Sequence, residues 1–291
     1  LLASTKLKII APAMNTNMWN NPAVKNNLKI LKKMGIIIFN PQFGKLACNS
    51  KGSGKLMDID LIVKKLNLIF SEKTLSGIKA IVTAGPSIEK IDPVRFLSNF
   101  SSGKQGYEIA EKLSLFGATT TLISGPTTLS PPQNVKFIQA KSGKDFLDMS
   151  LKSLPCDLFI SVAAISDWKV NHISKNKIKK NKSELNIKFS HNIDILKTIS
   201  THKKRPKLVV GFSAETTNLI ENSKQKIEAK KCDWMLANKV NDKVGFNSEN
   251  NKIFFFNNEN IKEWPLMKKS HVSLKLTKEI VSFFKNNKLI K

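Results

Sequence analysis

Arginine is almost missing from this sequence. Of 48 basic residues only Arg95 and Arg205 are arginine, and there is a single tyrosine. Proteins that read nucleic acid lean on the planar guanidinium fork. With two such groups and no recognisable binding motif, a nucleic-acid partner is disfavoured despite a net charge of +26. Cysteine is scarce as well. Cys48, Cys156 and Cys232 cannot all pair, and a chain of 291 residues needs no staples, which points to a reducing cytoplasm. No apolar run approaches the ~18 residues of a membrane helix, and no signal peptide is present. The P-loop and the dinucleotide fingerprint are also absent, because Gly85 and Gly103 stand too far apart for either. Nor is there an initiator methionine. The chain opens Leu1-Leu2-Ala3 and runs almost at once into a strand, so it reads as a piece of a longer protein.

What remains is ordinary globular composition, 41% hydrophobic and 24% charged. Lysine, asparagine and isoleucine rise together, which reads as nucleotide bias in the coding sequence. The lysines concentrate between residues 169 and 207, where Glu184 and Asp194 are the acidic residues. Such a run is a solvated surface or a phosphate site.

Strand and helix patterns alternate throughout, the signature of a mostly parallel sheet with helices on its faces. Residues 7–11 and 36–39 read as strands, 22–34 and 59–70 as helices, and 40–55 as a loop rich in glycine and serine. Residues 71–76 are polar and read as a linker. Beyond it come strands near 78–83, 118–124, 135–138, 157–162, 207–212 and 234–237, and an edge strand at 252–256. Helices are predicted at 103–116, near 143–153, 192–201 and 217–230, and at 272–284. The first 70 residues are too few for a doubly wound sheet, whereas those after the linker suffice for a complete domain.

Several stretches lie where strands end, and in open α/β sheets that edge holds ligands. Asn15 follows the first strand, as a carboxylate-binding amide or as part of a polar turn with methionine and Trp19 packing beneath it. Cys48 lies among Gly44, Gly52 and Gly54, flanked by Lys45 and Lys51. It reads as a thiol of lowered pKa in a mobile loop, or as an ordinary buried one. Gly85, then Arg95, Asn99, Ser101, Ser102, Gly103 and Lys104, lead into a helix N-terminus, a ready phosphate site or simple capping by serine. Ala163 and Asp167 offer close approach to a planar ligand and an acceptor for it. Phe212 ends another strand, and Lys226 and Lys230 share one helical face, suited to an anion or to solvent.

Taken in order, Pro12–Asn15, Thr83–Pro86, Asp92–Arg95, Ser98-Asn99, Ser101–Lys104, Ala163-Ala164, Asp167-Trp168, Lys177–Lys180 and Gly211–Thr216 resemble the bifunctional flavoprotein of coenzyme A biosynthesis. That family joins a phosphopantothenoylcysteine decarboxylase to a phosphopantothenate–cysteine ligase. The resemblance implies that residues 1–70 are the C-terminal part of a flavodoxin-like or Rossmann-like decarboxylase domain, 71–76 a linker, and 77–291 a complete ligase of doubly wound Rossmann-like fold. It implies activation of 4′-phosphopantothenate by CTP to an acyl-cytidylate, followed by displacement of CMP by cysteine. Asn99 would handle the acyl-cytidylate with Arg95 assisting. Ala163, Asp167, Phe212 and Ile193, Asp194, Ile195 and Leu196 would form the cytidine pocket. Lys177, Lys226 and Lys230 would reach the nucleotide, and Gly85, Ser101, Ser102, Gly103 and Lys104 the phosphates or substrate. Mg²⁺ would be held through phosphates and not by protein ligands. A ligase homodimer is implied, with a higher assembly in the intact protein.

In the decarboxylase half, Asn15 would hold the substrate carboxylate and Cys48 would protonate the intermediate, with FMN as cofactor. This chain departs from the family pattern at Asn49, Ser50 and Lys55 after the cysteine. It also lacks the family's catalytic histidine and most of the flavin pocket, so it is not expected to bind FMN well. An NAD(P)-dependent reductase is the alternative for such an architecture, but Gly85 is followed by Pro86-Ser87 and not by a dinucleotide fingerprint.

Overall fold

The computed structural model describes residues 3–47, 49–179, 185–239, 248–257 and 260–290. The chain divides into two compact units, Leu1–Ser71 and Glu72–Lys291. Among the described residues no helix is long and apolar enough to cross a membrane.

In the first unit, β1 (Ile9–Ile10) leads to α1 (Thr16–Asn20) and α2 (Pro22–Lys33), and β2 (Ile37–Ile38) returns parallel to β1. Asn21 fixes the start of α2: its side chain accepts from Ala23 N at 2.9 Å, and Pro22 takes the first helical position. The glycine-rich stretch, expected as a mobile loop, is instead an antiparallel hairpin of β3 (Gln42–Lys45) and β4 (Lys51–Lys55). Its glycines serve close packing. A Cβ on Gly54 would lie 2.1 Å from Met14 O, and one on Gly52 2.2 Å from Thr16 Oγ1, so the hairpin lies directly on the α1 turn. Helix α3 (Ile59–Phe70) closes the unit.

The second unit opens with β5 (Lys79–Ala84), the small hairpin β6 (Ile88–Lys90) and β7 (Phe96–Ser98), α4 (Lys104–Leu115), β8 (Thr119–Ser124), β9 (Lys136–Gln139), α5 (Gly143–Lys152) and β10 (Leu158–Ser161). A second small hairpin follows, β11 (Trp168–Val170) and β12 (Phe189–His191). The remainder is α6 (Ile195–Ser200), β13 (Leu208–Glu215), α7 (Leu219–Lys230), β14 (Trp234–Lys239), β15 (Asn250–Phe256), β16 (Ile261–Lys268) and α8 (Lys269–Asn286). The main sheet runs β16-β15-β14-β13-β10-β5-β8-β9. It is parallel from β14 to β9, with β15 and β16 antiparallel. The mostly parallel doubly wound sheet is thus as predicted.

Two expectations change. Residues 252–256 are not at the edge: β16 covers them, with Pro265 where an edge strand tolerates it. The stretch 71–76, expected as a linker, is no free segment either, because apolar Leu75 is fully buried in the second unit's core and its N–H donates to Phe116 O at 2.8 Å.

Strand alternation builds two cores. Val82, Ile160 and Val210 face α4 and α8, against Ile109, Leu113, Leu276 and Ile280. Ile81, Phe159 and Val209 face α5, α6 and α7, against Phe146, Ile195, Ile199 and Ile227. The chain leaves β5 toward β8 and β9, then returns to β10 on the other side of β5. The C-terminal ends of β5 and β10 are therefore the switch point of the sheet.

Candidate functional site

At the switch point the backbone is fixed by small polar side chains. Thr83 Oγ1, buried at the end of β5, accepts from Val162 N and Ala163 N, both at 3.2 Å. Gly85, at φ +73°, makes the turn after β5, and its carbonyl accepts from Ala164 N at 2.9 Å. Ser87 Oγ accepts from Ser166 N at 3.0 Å. Buried Glu89 takes Gly143 N and Asn192 Nδ2 on one oxygen, at 2.8 and 2.9 Å, while Asn192 also donates to Ser166 O and Asp167 O. The turn carrying Ala163 and Asp167 is thus held from three sides.

Over these strand ends lies a cavity of about 560 Å³, within the range of small-molecule sites. Of the predicted residues it brings together Asn99, Ser101, Ser102, Gly103, Lys104, Ala163, Asp167, Phe212 and Lys226. Asn99 Nδ2 donates to Ile165 O at 3.1 Å, which fixes the amide plane at the cavity wall. Serine capping of α4 is weaker than expected. Left-handed Gly103 occupies the N-cap position, and Ser102 Oγ accepts from Lys104 N at 3.5 Å. Lys226 Nζ sits 2.6 Å from the buried carboxylate of Glu215.

Other predicted residues are not in the lining. Arg95 turns away and donates to Ile178 O at 3.2 Å, with Asp92 3.4 Å from its other guanidinium nitrogen. Asp92 is buried and also accepts from the N–H groups of Val94, Arg95 and Ile178. Burial pushes its pKa up, but these donors and the guanidinium hold it below the usual carboxylate value. Arg95 and Asp92 together therefore anchor the loop bearing Lys177, which is exposed. Lys180, at the end of that motif, lies outside the described residues.

Asp194 caps α6 through Lys197 N at 3.0 Å and pairs with Lys230 at 2.5 Å. Ile195 is buried in the core, and Leu196 packs on Gly211, where a Cβ would meet it at 2.7 Å. Ile193 donates from its N–H to Asn192 Oδ1 at 2.9 Å. Gly85 supports the turn and does not touch the cavity. In the first unit, Asn15 caps α1 by accepting from Asn17 N at 2.8 Å. Cys48 lies outside the described residues. Cys156 and Cys232 are not site thiols: burial pushes both up to about 12.

Sequence reasoning missed Gln105, Asn238, Asn251 and Lys269, which also line the cavity. Lys269 opens α8 in a stretch, Lys268-Lys269, that reads as one more pair of surface lysines. It is in fact 5% exposed. Burial pushes its ammonium below the ordinary lysine value; Glu249 pulls it back up and Lys104 pushes it further down. Among the described residues there is no group of three or more His, Cys, Asp or Glu able to hold a metal ion.

Residues 75–284 match the family "DNA/pantothenate metabolism flavoprotein C-terminal domain", and residues 1–70 match the flavoprotein family. The chain is 37% identical over 282 residues to the coenzyme A biosynthesis bifunctional protein CoaBC of Haemophilus influenzae, covering 96% of this chain and 70% of that protein. The chain belongs to this family.

The Bacillus subtilis protein of the same name is 37% identical over 292 residues, covering 98% of this chain and 72% of that one. Among solved structures, the C-terminal domain of a coenzyme A biosynthesis bifunctional protein CoaBC superposes with a TM-score of 0.63 at 34% identity, covering 74% of this chain and all of that one. A complex of Cab2 with phosphopantothenate-cysteine shares the fold at a TM-score of 0.60 and 16% identity, covering 78% of this chain and 94% of that one. The family's C-terminal model spans the whole sheet and every residue of the cavity.

Proposed function

We propose that residues 72–291 join 4′-phosphopantothenate to cysteine at the expense of CTP, within coenzyme A biosynthesis. The observation that carries this reading is the cavity at the switch point. It gathers Asn99, Ser101–Lys104, Ala163, Asp167, Phe212 and Lys226 from four separate stretches of chain.

Ala163 leaves room for a flat ring beside Phe212, and the Asp167 carboxylate accepts from the base or the ribose. Lys226 can exchange Glu215 for the nucleotide phosphates, which in turn carry Mg²⁺. The carboxylate oxygen of the acid attacks the α-phosphorus and pyrophosphate leaves. The cysteine amine then attacks the acyl carbon, the acyl–phosphate C–O bond breaks, and CMP departs with that electron pair. Asn99, held by Ile165 O through one amide hydrogen, keeps its second hydrogen for the charge that develops on the acyl-cytidylate. Arg95 acts on the loop of Lys177, not on the reacting atoms.

For the first unit the reading is the family's FMN-dependent decarboxylase half, with Asn15 and Cys48 as carboxylate holder and proton donor. The described residues do not fit the flavin by themselves. β1 and β2 are two residues each, and Met18, Phe43, Ile59 and Phe70 are exposed. A ligase homodimer remains part of the proposal, testable by sedimentation.

The ligase reading is tested by thermal melting of the 291-residue chain with CTP–Mg²⁺, NADPH and duplex DNA. Stabilisation by CTP–Mg²⁺ alone is expected. Stabilisation by NADPH or DNA instead would replace the reading with a reductase or a nucleic-acid binder.

A further inference from the structure

A buried carboxylate lies behind the cavity wall and outside its lining. Glu89 is the middle residue of β6 and only 7% exposed, and no step of the proposed ligation uses it. Its Oε1 takes two N–H donors from distant stretches of chain. One is the backbone N–H of Gly143, the first residue of α5, at 2.8 Å; the other is Asn192 Nδ2 at 2.9 Å. A carboxylate oxygen accepts from both with no hydrogen of its own to place, and negative charge is favoured at a helix N-terminus. The close approach needs glycine at 143, where a Cβ would meet Asn192 Nδ2 at 2.9 Å.

Glu89 decides which way the Asn192 amide faces. With one Nδ2 hydrogen on Glu89, the other reaches Ser166 O at 2.9 Å, and Oδ1 accepts from Ile193 N at 2.9 Å. The backbone N–H of Asn192 donates to Asp167 O at 2.8 Å. Asn192 therefore holds the carbonyls of both peptide groups that flank Asp167. The orientation of those two groups sets the direction of the Asp167 side chain, which lines the cavity. The other attachments of the turn, Thr83 Oγ1 to Ala163 N and Ser87 Oγ to Ser166 N, act on residues before Asp167.

We propose that Glu89 is a positioning residue for the nucleotide side of the reaction: it fixes the Asn192 amide, and Asn192 aims Asp167 into the cavity. The proposal rests on the ligase reading, in which Asp167 meets the nucleotide. Without an acceptor at position 89, one Asn192 amide hydrogen loses its partner and the hold on Ser166 O loosens. Asp167 then samples several directions. The cost falls on CTP, which Asp167 contacts, and not on cysteine.

The test is ligation kinetics of the 291-residue chain carrying Glu89→Leu or Glu89→Gln, with CTP and cysteine varied in turn. Misdirecting one contact residue is expected to raise KM for CTP roughly 10-fold in Glu89→Leu, with KM for cysteine unchanged. Glu89→Gln keeps an oxygen acceptor and should return KM for CTP close to the wild-type value. A residue that only holds the fold would lower the melting temperature and the active fraction and leave KM for CTP alone. That result would overturn the proposal, as would an equal rise in KM for cysteine. If Glu89→Leu does not fold, Asn192→Asp, which keeps the shape but cannot donate to Glu89, carries the same test. If the wild type does not ligate at all, the ligase reading fails, and amide exchange decides whether Glu89 positions Asp167. Faster exchange of the Asn192 N–H in Glu89→Leu, with β5 and β13 unchanged and Glu89→Gln like the wild type, sustains that role. Unchanged exchange overturns it.

Discussion

Thr83 holds two backbone N–H groups of the β10 end on one hydroxyl. Thr83→Val keeps the shape and leaves both donors unsatisfied, so urea denaturation should show a loss of about 1–3 kcal/mol. CTP-induced stabilisation should fall with it, because Ala163 is one of the residues held. Asn99→Asp places a carboxylate against Ile165 O and beside an anionic intermediate. Single-turnover amide formation from the acyl-cytidylate should slow about 10²- to 10³-fold, with CTP binding little changed; the opposite pattern would move Asn99 into the nucleotide site. For the thiols, a Cys48→Ser chain should react slowly with a disulfide reagent at pH 8 and much faster once unfolded, since burial pushes half-buried Cys156 and buried Cys232 up to about 12. Fast native labelling would contradict their burial.

At this scale the sequence was most legible where small residues end strands: Asn99, Gly103, Ala163, Asp167 and Phe212 all reach the cavity. It was least legible for charge. Lys230 looks like Lys226 in sequence, yet Asp194 holds it outside the cavity, and Lys269 looks like a surface lysine yet is buried. Both outcomes depend on partners distant in the chain.

Among the elements, the long strands and helices follow from periodicity, whereas the three small hairpins do not. β6, β7, β11 and β12 are three residues each, too short for alternation to register. β3–β4 is glycine-rich because α1 lies against it, a reason invisible in local sequence. Gly54→Ala, at φ +134° and against Met14 O, should detach the hairpin and raise amide exchange in residues 42–55, leaving the second unit's melting unchanged. The turn after β6 gives a pH prediction. Asp92 and Asp145 both sit below their ordinary carboxylate value of 3.8. For Asp92, backbone donors and Arg95 outweigh burial. For Asp145, the Ser142 N–H leads, opposed by burial. A lowered folded pKa contributes stability that is present above the unfolded value and lost as pH falls through the folded one. Denaturation midpoints should therefore be flat from neutral pH down to about 4 and drop below it, and Asp92→Asn should weaken that drop.

For the whole molecule, the net charge of +26 says little about partners once the lysines are placed. Lys104, Lys207, Lys226, Lys230 and Lys252 are each within 3 Å of a carboxylate. The second unit has two full cores around one sheet, and its site is assembled from strands on either side of the switch point. The first unit has two two-stranded sheets and exposed apolar side chains, so catalysis by this chain is expected from the second. The most direct measurement is product analysis of the purified chain given 4′-phosphopantothenate, cysteine, Mg²⁺ and either CTP or ATP. Equal amounts of 4′-phosphopantothenoylcysteine, CMP and pyrophosphate with CTP, and little product with ATP, are predicted. CTP left intact, or ATP serving equally well, would contradict a cytidylate-forming ligase at this cavity.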